Sequence, residues 1–250
     1  MPYNFESQKQ EWTFVPDDSH YLSTKDFCKL SPEEIHRKMR RMSAIRYSLS
    51  GYRNFKNKWR SCLGLDSTEG KVVLDFGCGL GMESLQFAPK NQVYLADITE
   101  NNLKAAELVL EAYKYKVKGS YLVTDKYPFW DSKENIDVFY CNGVLHHIPY
   151  SREILKRAVE VLNPDGEIRL MLYSDEMWKH CNTSLPSVQA DVQYEPDFIK
   201  FVRFGDKVGQ YADWYNAEKI LYRFGDFLKL VSFEYITDKN NYLVAILKKR

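Results

Sequence analysis

Val72-Val73-Leu74-Asp75-Phe76-Gly77-Cys78-Gly79-Leu80-Gly81 is the stretch whose reading decides the architecture. Three apolar residues read as a buried strand, and in the turn that follows every second residue from Gly77 to Gly81 is glycine. Glycine at alternate positions removes side-chain bulk, so the backbone can come close to a bound molecule. The spacing differs from the GxGxxG turn that presents a helix N-terminus to a pyrophosphate. A neutral or zwitterionic ligand suits this wider loop better.

Beyond the turn, short apolar runs alternate with segments of helical period. Val93-Tyr94-Leu95-Ala96 predicts a second strand ending at Asp97. Thr99 then caps a helix carrying Leu103, Ala106, Leu110 and Tyr113 on one face. Residues 121–123 and 136–141 predict third and fourth strands. Ser151 is expected to cap a helix with Ile154, Leu155, Ala158 and Leu162 inward. Asn163-Pro164-Asp165-Gly166 reads as a turn, and 168–173 as a fifth strand. Repeated units of this length imply a parallel sheet with helices on both faces. Residues 230–237 and 242–248, joined by a polar turn, read as a hairpin that makes the last strand antiparallel. The expected fold class is α/β, a doubly wound, seven-stranded, mostly parallel sheet with a terminal antiparallel hairpin.

The first seventy residues show no evident strand. Ser31-Pro32-Glu33-Glu34 marks a helix start. The helix is expected to run to about Tyr47, with Ile35, Met39, Met42 and Ile45 on one face. Basic residues between 37 and 46 occupy the other face, read as solvated in preference to a site for an acidic substrate. A further helix is expected within 54–65. The chain thus divides into an N-terminal helical cap at 1–66 and a main domain at 67–250. Residues 174–214 lack a clean period and read as a cap or lid inserted after the fifth strand.

The 250 residues are 44% hydrophobic and 28% charged, which describes a globular chain. The net charge of +1, from 35 basic and 34 acidic residues, supplies no long-range field toward a polyanion. Nucleic acid is therefore not expected as a partner. The five cysteines are widely separated and odd in number, suggesting neither disulfides nor a zinc site. The polar amino terminus and the lack of a long apolar run predict a cytoplasmic protein without a membrane span.

Ligands of such sheets bind at the carboxyl ends of the strands where strand order reverses. Asp97, about twenty residues after the glycine turn, is placed to accept hydrogen bonds from both hydroxyls of a ribose. Asp125, after the third strand, could accept from an adenine amino group or be a surface turn acid. Asn142 and Gly143, after the fourth strand, can border the ligand's amino-acid end. His146 and His147 follow at the substrate side of the sheet, where an imidazole could serve as a base near neutral pH. One of the pair is expected to point into the fold; His146 is the preferred base. Tyr173, ending the fifth strand, faces the same cleft. Trp178, Tyr194, Phe198, Tyr211, Trp214 and Tyr215 either line a lid over an organic substrate or form the core of that segment.

The glycine stretch, Asp97, Asp137-Val138-Phe139-Tyr140-Cys141-Asn142-Gly143-Val144-Leu145-His146-His147-Ile148, and Val161-Leu162-Asn163-Pro164-Asp165-Gly166-Glu167 come in a familiar order. Together they resemble the successive motifs of class I S-adenosylmethionine-dependent methyltransferases, with a Rossmann-like fold. The resemblance is strongest to the small-molecule group that includes the ubiquinone and menaquinone biosynthesis enzymes. It implies S-adenosyl-L-methionine as cofactor, with S-adenosyl-L-homocysteine as product. Asp75, Gly77, Gly79 and Gly81 would shape the methionine pocket, with Phe76 and Cys78 between them. Asp97 and Ile98 would adjoin the ribose, Asp125 and Lys126 would flank the adenine, and Asn142 would sit near the sulfonium. Asp165 departs from the glycine usual before Gly166, in a remote turn. The segment is also similar to phosphoethanolamine methyltransferases, which pair the corresponding histidine with a tyrosine from the cap; Tyr21 and Tyr47 are candidates for that part. The expected reaction is methyl transfer to an oxygen or nitrogen of a small organic molecule. The alternatives are a protein or tRNA acceptor and a non-catalytic binding protein. An NAD-dependent oxidoreductase is disfavoured by the glycine spacing and the hairpin.

Overall fold

Each apolar run between residues 72 and 173 becomes a strand of one sheet. β1 (Val72–Phe76), β2 (Gln92–Asp97), β3 (Val117–Leu122), β4 (Ile136–Asn142) and β5 (Leu162–Tyr173) run parallel. β6 (Leu228–Ile236) and β7 (Tyr242–Lys249) form the hairpin, and β7 lies antiparallel to both β5 and β6. The order across the sheet is β3-β2-β1-β4-β5-β7-β6, the expected doubly wound arrangement. The computed structural model describes residues 4–15, 22–48, 58–124, 135–181, 211–237 and 239–250.

Strand order reverses beside β1: the chain builds outward through β2 to β3, then returns to lay β4 on the other side. A crevice opens there at the carboxyl ends of the strands. Alternate side chains serve opposite faces, so Val73 and Leu74 fall in different apolar cores. α1 (Phe5–Glu11) lies at the amino terminus; α2 (Pro32–Arg46) and α3 (Glu100–Ala112) cover one face. α4 (Ser151–Val161) covers the other. After α5 (Asp175–Cys181), α6 (Ala217–Phe224) joins α4 there. Phe27, Met39 and Trp59 share a core with Val73 and Leu110, so the N-terminal segment packs as part of the sheet's own interior.

Local signals explain most helix starts. Ser31 Oγ accepts from the Glu34 amide and the Glu34 carboxylate accepts from the Ser31 amide, closing a capping box before Pro32. Thr99 Oγ1 accepts from the Asn102 amide at 3.1 Å. Ser151 departs from expectation. It is the first residue of α4, uncapped, and its hydroxyl lies 3.3 Å from the Tyr215 hydroxyl. Tertiary contact has taken the group that local pattern assigned to a cap. Ile45, expected on the buried face of α2, is 45% exposed.

Several bounds also move. β3 begins at Val117, before the expected 121. β5 begins at Leu162, the residues expected to form a turn being absorbed where its register against β4 shifts. The helix after the glycine turn is the short Ser84–Phe87, and that expected within 54–65 is Lys58–Cys62, with 54–57 outside the described residues. Phe14–Val15 pairs with Leu22–Ser23, although no strand was expected there. α1, α5 and α6 were not anticipated; of the expected lid, 182–210 lie outside the described residues, including Tyr194 and Phe198. No helix among the described residues is long and apolar enough to cross a membrane.

The glycine turn carries two distinct constraints. Gly77 has φ +79°, and a Cβ there would lie 2.3 Å from Val144 Cγ2. Gly79 has φ +53°, but a Cβ there would meet nothing within 4 Å. Gly77→Ala therefore combines left-handed strain with overpacking and is expected to cost about 3 kcal/mol in urea unfolding. Gly79→Ala should cost only about 1 kcal/mol, from backbone strain alone. Equal losses at the two positions would contradict this account.

Candidate active site

The pocket at the switch point is walled on one side by the glycine turn, through Phe76, Gly77, Cys78 and Gly79. Asp97 and Ile98 close the β2 side, Asn142 and Gly143 the β4 side, and Val123 the end nearest β3. Its roof comes from the amino terminus: Phe5 and Gln8 of α1, with Trp12 just after it. The Trp12 carbonyl accepts from Asn102 Nδ2 at 3.1 Å, and its ring lies 4.9 Å from that of His147. Nothing in the local pattern of residues 5–12 marked them as site residues; only the tertiary path brings them over the crevice.

Asp97 is 4% exposed. Its Oδ2 accepts from the Gly79 amide at 2.9 Å, and its Oδ1 from the Thr99 amide and Asn102 Nδ2 at 3.0 and 2.9 Å. Burial raises its pKa, while the donors from Thr99, Gly79 and Asn102 oppose that shift. The residue expected to hold a ribose is thus also the strut of the glycine loop, and much of its acceptor capacity is engaged by the chain itself.

Asn142 presents the opposite situation. It is 8% exposed, and neither Nδ2 nor Oδ1 hydrogen-bonds to a described residue. Buried amides are normally paired, so an amide lining a pocket in this state is suited to a polar ligand. With the open space over Gly79 and the Asp97 carboxylate, it makes a cradle that fits a ligand carrying hydroxyls and an amino-acid group. Cys78, also on this wall, is held as a neutral thiol: burial, then Asp97 and Asp75, push its pKa well up.

Two expected cofactor residues stand behind the wall. Asp75 is 2% exposed and accepts from Ser84 Oγ at 2.5 Å, tying the end of β1 to the next helix. Gly81 allows a close approach to α3, since a Cβ there would lie 3.1 Å from Ala106 Cβ. Asp125, Lys126 and Tyr21 lie outside the described residues.

The histidine pair is resolved in an unexpected sense. His146, the preferred base, is fully buried and does not line the pocket. Its ring stacks on Tyr173 with centroids 3.7 Å apart, and its Nδ1 faces the Tyr173 amide at 3.3 Å. An amide can only donate, so Nδ1 is the acceptor and the proton sits on Nε2. Burial, with His147 beside it, holds its pKa well below the usual imidazole range. His147 is the member that lines the pocket. Its Nδ1 lies 3.0 Å from the Tyr211 carbonyl, which can only accept, so His147 carries its proton on Nδ1. With both rings neutral, the two contacts select opposite tautomers.

Tyr173 lies among His146, Trp178 and Met177 and is not a pocket wall. Tyr47 also stands off the pocket; its hydroxyl donates to Glu83 Oε1 at 3.1 Å. Glu83 itself lines the pocket, as does Arg46 at the end of the basic helix. The sequence had marked Tyr47, one residue too far, and had not marked Glu83.

A family model described as a methyltransferase domain matches residues 67–225, more than half of the chain. The ubiquinone biosynthesis O-methyltransferase of Idiomarina loihiensis is 34% identical over 108 residues, 41% of this chain and 42% of that protein. The 27-O-demethylrifamycin SV methyltransferase of Amycolatopsis mediterranei is 29% identical over 105 residues, 40% and 38% of the two chains. The matches thus span about two fifths of these curated relatives' length. The N-methyltransferase NodS of Bradyrhizobium japonicum, solved with S-adenosyl-L-homocysteine, shares the fold. Its TM-score is 0.56 at 15% identity, over 87% of this chain and 97% of that one. With the class I strand order and the glycine turn in place, the family match settles membership: the chain belongs to the methyltransferase domain family.

Proposed function

We propose that this protein is an S-adenosylmethionine-dependent methyltransferase acting on an oxygen or nitrogen of a small organic molecule. One observation carries the reading: the switch-point pocket joins an open glycine loop, a buried carboxylate at Asp97 and an unpaired amide at Asn142. The two curated relatives, whose names specify O-methylation or methylation of small molecules, support the acceptor class.

When bound, the cofactor supplies a methyl carbon activated by a sulfonium. Asp97 would accept from the ribose, Asn142 would pair with the amino-acid end, and Ile98 and Val123 would border the base. Phe5 and Trp12 would exclude water above them, leaving the chain to align the acceptor for in-line attack. Where the acceptor must lose a proton, His147 is the residue to take it; His146 holds the turn through its stack on Tyr173. The acceptor class does not require a membrane or nucleic-acid surface.

Calorimetric titration with S-adenosyl-L-methionine is expected to show saturable binding, weakened at least tenfold (about 1.4 kcal/mol) by Asp97→Ala. Absence of binding by the wild-type protein would overturn the proposal. With a low-molecular-mass metabolite extract as acceptor, His147→Ala is expected to slow S-adenosyl-L-homocysteine release about a hundredfold with cofactor affinity kept. His146→Ala should instead lower stability by about 2 kcal/mol, read by urea unfolding. The reverse pattern would return the base role to His146.

A further inference from the structure

Behind the pocket, residues 211–215 run along the 3-10 turn Leu145–His147. The Asp213 amide donates to the His146 carbonyl at 2.8 Å, and the Tyr215 amide to the Tyr173 carbonyl at 2.9 Å. Between these anchors, Asp213 binds two cations from α6. Lys219 Nζ lies 2.6 Å from Oδ1, and an Arg223 guanidinium nitrogen 2.7 Å from Oδ2. Asp213 is 2% exposed, and the Lys219 side chain is fully buried, its ammonium 4.0 Å from the Trp214 ring centroid. Asp213 Oδ1 also accepts from the Trp214 amide at 2.8 Å.

Buried ion clusters are poor sources of stability, because desolvation offsets much of their attraction. This one stands two residues from Tyr211, whose hydroxyl donates to Asp213 Oδ2 at 3.4 Å and whose carbonyl lies 3.0 Å from His147 Nδ1. In an unconstrained neutral imidazole the proton can sit on either nitrogen; a fixed carbonyl beside Nδ1 selects one form. We infer that the Asp213–Lys219–Arg223 cluster is a positioning device that holds His147 as the Nδ1–H tautomer, the form in which the proposed base carries its lone pair on Nε2. The catalytic half of this inference rests on the proposed methyl transfer; the tautomer half does not.

The test is nitrogen-15 NMR of the histidine rings at a pH where the imidazoles are neutral, with His147 assigned through His147→Gln. Wild-type His147 is expected to be almost wholly Nδ1–H and His146 Nε2–H. The charge-free replacement Asp213→Leu with Lys219→Met and Arg223→Met should fold, and should shift the His147 tautomer ratio at least tenfold toward Nε2–H. His146, held by the Tyr173 amide, should keep its pattern and so report that the turn is intact. Asp213→Asn, which keeps the shape and removes the charge, should shift the ratio in the same direction. A wild-type His147 protonated on Nε2 overturns the inference, as does a folded variant with an unchanged ratio. If the tautomers behave as expected but His147→Ala releases S-adenosyl-L-homocysteine at the wild-type rate, the base role fails and the positioning of the ring stands.

Discussion

The hydrogen bond from the Gly79 amide to the buried Asp97 carboxylate ties the turn after β1 to the end of β2. The rest of the site is arranged around that bond. It holds the backbone open over Gly79, where a side chain would otherwise fill the space a ligand needs. It also places Asp97 on the pocket wall, and through Thr99 and Asn102 the same carboxylate joins the start of α3 to the loop. Asn102 in turn holds the Trp12 carbonyl, so the roof is connected to the floor through one acid. Burial raises the pKa of this acid, and the donors that converge on it oppose the shift.

The sheet was legible because most of its strands contain short apolar runs, and because glycine spacing and hairpin turn are local signals. Val93 to Asp97 and the Thr99 cap illustrate this: period and cap chemistry agree, and the structure follows them. Ser151 shows the limit. A serine before a periodic run looks like a cap, but Tyr215, distant in sequence, lies beside the hydroxyl. The short strand pair near the amino terminus was equally hidden, since two residues of strand carry no period to detect.

The site divides in the same way. The glycine turn, Asp97 and Asn142 sit at strand ends, so strand positions alone bring them together. Phe5, Gln8 and Trp12 reach the pocket through a path that no local pattern encodes. Glu83 and Tyr47 come from different elements, and only their packing reveals which of the two lines the cavity. One of the two histidines was expected to point into the fold; both are buried, and only His147 lines the pocket. Which of the two does so depended on a single turn of 3-10 helix and on the carbonyl of Tyr211, both tertiary facts.

The proposed function has the pocket present a small acceptor to an activated methyl group beneath the N-terminal roof. The most direct measurement is mass spectrometry after incubating the protein with trideuteromethyl-labelled S-adenosylmethionine and a whole-cell extract separated by molecular mass. The account predicts that the label enters a compound of the low-mass fraction, on oxygen or nitrogen, and that protein and RNA fractions stay unlabelled. Label confined to protein or RNA, or no transfer to any fraction, would contradict it.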